Sequence, residues 1–438
     1  MGTAPAVLPR RDAALPLRDA GRALVLRAVG AALSVALSIV ICRLLGAEGA
    51  GQYFTAVALA TMIAVAAKLG LDGAVLRFVA TSAATGQWAT MRGAIRVSTR
   101  VAAAASALGA MVLFGAAPWL AASVFDAPDL VGPIRVIAPG IVCFAMMTLL
   151  AELLRGLKRI PHAMGVAVIV PPMVALATIG QLASTFGAAG AAASFVMGAA
   201  MSALIGFWLL DRAVRACPVA PPSIDKQALW ASARPLWLTS LMNRAILPWA
   251  PVVFLSIWAT AAEVGLFGVA SRVALAVGAC LMAANTALAP RFAELHAAGD
   301  IPGLRRLVGR FAFYMSVAAS PVFLLIIVEG DPILRLFGPE FAQAATALAI
   351  LAIGQAVSTL CGSVGYLLIM TGHEASLRSA TVLGGVGLTV LSIILIPSFG
   401  LIGAALASAF GLIISNLAAL WAAHRHLGLM PLAGVGQR

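Results

Sequence analysis

Six residues of this 438-residue chain bring charge or amide chemistry into apolar surroundings: Arg27, Lys68, Asp72, Asn243, Arg244 and Arg272. Lys68 and Asp72 stand four residues apart, so on one helix they share a face and neutralise each other. That pair reads either as a structural ion pair or as part of a polar cavity. Arg244 follows Asn243, and the nearest charge in its run is Arg234, of like sign. A lone cation in apolar surroundings points to a cavity wall. Arg272 is near enough to Glu263, or to a lipid headgroup, to snorkel, or it too lines a cavity. Arg27 lies one or two turns into an apolar run and reads first as an interface anchor. A guanidinium forks onto phosphate or carboxylate oxygens, so the chemistry open to these residues is anion binding.

Catalysis has weaker support. The five histidines, His162, His296, His373, His424 and His426, are scattered, and the acidic Glu329-Gly-Asp331 has no partner cluster. The sequence lacks GxSxG, HExxH and a phosphate-cradling glycine loop. Cys42, Cys143, Cys217, Cys280 and Cys361 stand singly, which argues against a zinc site or a disulfide framework. No metal, cofactor or enzymatic activity is expected.

The elements that must position these residues follow from composition. Hydrophobic residues make up 62% of the chain and charged residues 10%, against about 25% charged in an ordinary soluble domain. Mean hydropathy is +1.03. Such a chain cannot furnish a polar shell, which excludes a soluble enzyme, a nucleic-acid binder and a disordered scaffold. A bilayer-crossing helix needs about 20 apolar residues. Twelve runs qualify: 22–44, 51–79, 93–117, 131–154, 162–183, 187–210, 230–257, 264–290, 308–328, 343–369, 376–396 and 400–423. They are too long and too uniformly apolar for barrel strands. Pro139, Pro171, Pro172, Pro248, Pro251 and Pro321 fall inside them and predict kinks. Abundant Ala and Gly allow close helix packing.

The net charge of +13 has a membrane explanation. With the N-terminus inside, 23 of the 29 Lys and Arg fall on the cytoplasmic side, among them Arg92, Arg96, Arg155, Lys158, Arg159, Arg212, Arg305 and Arg306. The outer loops hold Arg43, Arg135 and Arg335, and the spans hold Lys68, Arg244 and Arg272. Positive residues stay inside, so both termini are expected in the cytoplasm and no nucleic-acid partner is needed. The first twenty residues read as a retained cytoplasmic tail rather than a signal peptide.

The chain also repeats itself. At an offset of 213, residues 186–212 match 399–425 at 10 of 27 positions, including Gly187/Gly400, Gly198/Gly411, Trp208/Trp421 and Arg212/Arg425. At 214, Gly51 pairs with Gly265, Tyr53 with Phe267, and Arg77 with Arg291. Six spans per unit make this a parallel repeat whose two-fold axis runs along the membrane normal, with a cleft between two bundles. The expected fold class is an all-α integral membrane protein of about twelve helices in two six-helix lobes. Its parts are a tail (1–21), an N-lobe (22–210), a cytoplasmic linker (211–229), a C-lobe (230–423) and a second tail (424–438). The membrane cations do not repeat: at 214, Lys68 faces Met282, Arg244 faces Gly30 and Arg272 faces Ala58. Architecture would more readily repeat, so these three point to a path through the cleft.

The segments CRLLGAEGAGQY (42–53) and KLGLDGAVLRF (68–78), with AEVGLFGVASR (262–272) and APRFAE (289–294), resemble the polysaccharide-biosynthesis and O-antigen flippases. These belong to the multidrug/oligosaccharidyl-lipid/polysaccharide exporter superfamily. The resemblance covers nearly the whole chain and rests on the order and spacing of degenerate motifs. It implies a V-shaped pair of lobes, alternating access, and a polyprenyl-pyrophosphate-linked glycan passed from the inner to the outer leaflet of a bacterial plasma membrane. Membrane lipids and a polysaccharide polymerase are the partners it implies. Cations at several depths, Arg27 and Lys68 inner, Arg244 central and Arg272 outer, suit a pyrophosphate. Asn243, Asn285, Gln355, Ser358 or Thr359 would then meet sugar, and the lipid tail would stay in the bilayer through a gap between lobes. Asp72 and Glu152 are the candidate carboxylates for ion coupling. The alternative within the superfamily is a multidrug/cation antiporter. Against it, the first span has no carboxylate and buried cations repel cationic drugs. A membrane-embedded glycan-processing enzyme is the more distant alternative.

Overall fold

The computed structural model describes residues 17–428, with side chains described except at 17–24, 276–290 and 293. The remainder of both expected tails, and the side chain of Asn285, lie outside the described residues. The chain is almost wholly helical: α1 (Leu17–Ala67), α2 (Leu71–Ala84), α3 (Trp88–Trp119), α4 (Val131–Ile137), α5 (Gly140–Gly156), α6 (Ile160–Met164) and α7 (Val170–Arg215). Then follow α8 (Lys226–Leu241), α9 (Leu247–Trp258), α10 (Ala261–Ala297), α11 (Ile301–Val328), α12 (Gly330–Arg335), α13 (Ala345–Leu360), α14 (Val364–Met370) and α15 (Glu374–Leu427). No strand occurs among the described residues.

Among the described residues, seven helical stretches are long and apolar enough to cross a bilayer, and the bent pair Pro128–Ile137 with Gly140–Gly156, meeting at 42°, adds an eighth. Three stretches run to 43, 56 and 54 residues, where about 20 suffice. Their excess length is folded up at glycines. Gly46, Gly187 and Gly400 have φ of 68°, 57° and 49°, left-handed values that side chains resist. At Gly187 the chain doubles back: Gly190 abuts the Leu182 carbonyl, Gly198 abuts Pro171, and the Ser202 hydroxyl donates to the Val166 carbonyl. At Gly400 it does so again, with Gly403 against Leu395 and Gly411 against Gly384 and Leu388. Each of the twelve expected ranges falls on helical segments, and three neighbouring pairs of them share a long helix.

Three π-helical turns, Leu120–Val124, Gly165–Ile169 and Met242–Ile246, lie beside prolines: Pro118, Pro171 with Pro172, and Pro248. At Pro171, Pro172 and Pro248 the carbonyl four residues back lies within the turn, and with no proline N–H to meet it the ladder widens there. For Pro248 that carbonyl belongs to Arg244, so the bulge carries the arginine.

At one end of the bundle both halves of the chain share a single core that includes Phe54, Ile134, Phe267 and Phe341. At the other end the cores separate, one around Leu71, Leu149 and Leu229, the other around Phe292, Leu304 and Leu367. The halves therefore share one core at the first end, while at the second the core around Leu71 and Leu149 takes in α8 of the second half and the core around Phe292 stands apart. The joined end holds a reciprocal contact: Gly51 of α1 lies against Ala261 of α10, and Gly265 of α10 lies against Ala47 of α1. Both pairs are 214 apart, as the repeat requires of two helices running in the same direction. The Glu340 carboxylate accepts from the Ala47 amide at 2.6 Å, and Arg43 Nε donates to the Leu336 carbonyl at 2.9 Å. The repeat recurs at the opposite face: Arg212 stacks over Trp208 at 5.7 Å and Arg425 over Trp421 at 5.4 Å.

Candidate functional site

The expected Lys68–Asp72 pair forms, with Nζ 3.0 Å from Oδ2 and both side chains buried. It does not form along one continuous helix face. Leu69 and Gly70 both have positive φ, 52° and 77°, which ends α1 and starts α2 between the two partners. Gly70 has to be glycine there, because α8 crosses the bend with the Ala233 carbonyl and Trp237 backbone against it. Trp237 Nε1 donates at 3.1 Å to the Ala66 carbonyl, which also accepts from the Leu69 amide.

Arg244, without a partner in its own span, finds two on other helices. Its Nη1 lies 3.2 Å from Asp72 Oδ2 and its Nη2 lies 3.3 Å from Glu152 Oε1. Glu152 also accepts from Arg155 at 3.0 Å. One network thus links the second span, α5 and the π-turn before α9. Three cations, Lys68, Arg244 and Arg155, answer two carboxylates. Asp72 and Glu152 stand 172 and 92 residues from Arg244, which is why no local pattern announced them. The Arg244 side chain keeps 47% exposure, so each of its links is worth under about 1 kcal/mol.

Arg272 differs. It neither reaches Glu263 nor snorkels outward. Glu263 is engaged in a capping box with Thr260 at the start of α10. The Arg272 guanidinium lies over the Phe54 ring, 4.1 Å from its centroid. Its Nη1 is enclosed and has no hydrogen-bond partner among the described residues. The room comes from the same stripe that holds the glycine contact: Gly265, Gly268 and Arg272 on α10 face Gly51 and Phe54 on α1, with Phe54 seated on Gly268. Arg272 as a whole is half-buried, and no carboxylate pairs with it among the described residues.

Lys68, Arg244 and Arg272 line one cavity of about 650 Å³. Its wall is built mainly from the first half of the chain, with Ser34, Ser38, Tyr53, Thr61, Thr148 and Trp249 as further lining residues. Among the described lining residues there are three cations and no carboxylate. Asp72 stands behind Lys68. Arg27 is half-buried, one turn from the lining residue Ala31, and Asn243 is exposed; neither lines the cavity. Gln355, Ser358 and Thr359 do not line it either, and Thr359 hydrogen-bonds within its own helix to the Gln355 carbonyl at 2.9 Å. The residues that sequence reasoning passed over had a signal: Tyr53, Val57, Thr61, Val65 and Lys68 recur at steps of four and three, and Ser34, Ser38 and Ile41 do the same on the first span.

No cluster of three or more His, Cys, Asp or Glu suited to a metal occurs among the described residues. The arrangement can bind an anion; it offers no acid–base pair poised for bond cleavage.

Comparison with known proteins places this geometry. Solved structures with the same fold include an inward-facing multidrug resistance MATE family transporter of the MOP superfamily, with a TM-score of 0.73 at 15% identity over 93% of this chain and 98% of that one. Another is the lipid II flippase MurJ in an inward closed conformation, with a TM-score of 0.67 at 14% identity over 91% and 87%. The chain is 25% identical over 225 residues to the probable flippase AglR of Haloferax volcanii, covering 50% of this chain and 47% of AglR. It is 26% identical over 170 residues to the probable low-salt glycan biosynthesis flippase Agl15 of the same organism, covering 39% and 36%. The matches thus span half or less of those relatives. Residues 17–296 match the family described as Polysaccharide biosynthesis protein; with that match across well over half its length, this multi-pass membrane chain belongs to the polysaccharide biosynthesis protein family.

Proposed function

We propose that the protein is a flippase that moves a polyprenyl-pyrophosphate-linked oligosaccharide from the inner to the outer leaflet of a bacterial plasma membrane by alternating access. The observation that carries this reading is Arg272, a cation enclosed without an anion in a cavity whose other two charges are also positive. In this reading Arg272 takes the pyrophosphate, while Lys68 and Arg244, restrained by Asp72 and Glu152, meet it as it enters. Arg27, a turn from the lining, meets it first, and Asn243 contacts sugar beside Arg244. The parted cores open the cavity to the cytoplasm. The glycine contact and the Glu340 and Arg43 links close the other side. Both termini and the 211–229 linker are cytoplasmic, between lobes at 22–210 and 230–423, with tails at 1–21 and 424–438. A polymerase receives the glycan outside.

The energetics favour export. With the cytoplasm negative, an anion moving outward gains about 2.3 kcal/mol per charge per 100 mV. The antiporter reading fits less well, because a wall of three cations and no described carboxylate repels a cationic drug.

The test is reconstitution into vesicles with a labelled polyprenyl-pyrophosphate sugar on one face. Wild type should translocate it and Arg272→Ala should not. Equal transport by the two proteins removes Arg272 from the mechanism; no transport by wild type removes the mechanism.

A further inference from the structure

A second cavity, of about 580 Å³, opens beside the first, between α1, α10 and α11. The two share Val35, Ser38 and Arg272. Apart from Ser38 and Arg272, every described lining residue of the second is apolar, including Ala319, Val322 and Leu325 of α11. Ser38 spends its hydroxyl on the Ser34 carbonyl of its own helix, at 2.9 Å. Arg272 is therefore the free polar group of this chamber, and it stands at the doorway to the polar one. The outer end is roofed by Ile333, Leu336 and Phe337, and Arg43 ties that roof to α1 through the Leu336 carbonyl.

We infer that the apolar chamber between α1 and α11 holds the prenyl chain of the substrate while its pyrophosphate sits at Arg272 and its glycan lies in the larger cavity. The inference rests on the proposed function and gives the substrate an orientation. A molecule that fits both chambers and the doorway must carry an anion between a long apolar chain and a polar body. The tail thus lies in a groove of the protein whose rim, with Val322, Leu325 and Leu336 exposed, still faces the bilayer. The roof of the tail chamber is also part of the outer closure, so breaking the Arg43–Leu336 and Glu340–Ala47 links releases tail and headgroup together.

The test uses the full chain in vesicles and a polyprenyl diphosphate with a photoreactive group on its chain. Cross-links should concentrate in residues 318–326 and 333–337, and excess unlabelled polyprenyl diphosphate, but not phosphatidylglycerol, should remove them. Arg272→Met should lower their yield about tenfold or more, the loss of one charge-assisted hydrogen bond. A second variant, Val322→Trp, fills the chamber from its lipid-facing side. It should slow transport of an undecaprenyl-linked sugar several-fold and leave a citronellyl-linked one unchanged. Cross-links that phosphatidylglycerol removes equally, or that spread over lipid-facing sites such as Met111 and Phe114 on α3, overturn the inference. So does equal slowing of both chain lengths. Transport by wild type with cross-links elsewhere sinks the tail chamber alone. Specific cross-links without transport sink the flippase reading and leave a prenyl-phosphate site.

Discussion

Replacing Arg272 by methionine separates a binding cation from a structural one, because the two roles predict opposite costs. Methionine preserves most of the stem and removes the charge. In the ligand-free protein the change forfeits the attraction to the Phe54 ring at 4.1 Å, worth about 2 kcal/mol at a desolvated site. It also removes a half-buried charge that no carboxylate answers, whose desolvation has a cost of its own. The two effects oppose each other, and the melting temperature should stay within about 3 °C of wild type or rise. Affinity for the lipid pyrophosphate should fall, since a hydrogen bond to a charged group contributes about 1.5–3 kcal/mol, or about 10- to 150-fold in Kd. Arg272→Lys should lie between, keeping the charge and losing the fork. Titration of the ligand into protein in nanodiscs gives the affinity, and tryptophan fluorescence on heating gives the stability. A variant that melts well below wild type, or binds the ligand equally well, refutes the argument.

The ion network makes the contrasting case. Lys68→Met strands the buried Asp72 with only a half-exposed arginine and should cost about 3–5 kcal/mol, whereas Arg244→Met leaves each carboxylate a remaining partner and should cost about 1 kcal/mol; chemical denaturation in detergent ranks the two. Gly265→Ala sets a methyl group against the Ala47 carbonyl, so it should prop open the joined end and raise labelling of the buried Cys42 by a membrane-impermeant maleimide, read in a protein whose other cysteines are replaced. Glu340→Ala removes the 2.6 Å bond to the Ala47 amide and should raise the same labelling less, because a lost hydrogen bond of about 1.5–3 kcal/mol leaves the glycine contact in place.

The all-helical membrane fold was legible because apolar length is a property of each segment by itself. The glycines at the doubling-back points were visible too, since Gly187 and Gly400 recur at the repeat offset. Less was legible about how charges meet. Arg244 looked unpartnered because its carboxylates lie on other helices, and an ion pair across 172 residues leaves no trace in local spacing. The bend at Leu69–Gly70 was hidden inside an unbroken apolar run; it exists because α8 must cross there, a tertiary demand. Arg272 went the other way. Glu263 looked available, but the Thr260 hydroxyl three residues before it had already claimed it as a cap. Of the polar residues expected to meet sugar, Thr359 satisfies its hydroxyl within its own helix, a choice open to any threonine in a span.

The glycine stripe between α1 and α10 carries an evolutionary consequence. Each half offers the other the surface it receives, which is the arrangement of an isologous dimer. Two separate copies of a six-span ancestor would have met along this line, and any residue placed there would have appeared twice at one level. An arginine at the level of Ala58 and Arg272 would have confronted its own twin in a dry interface. In a single polypeptide that rule does not hold, so one side can be alanine while the other carries a single guanidinium.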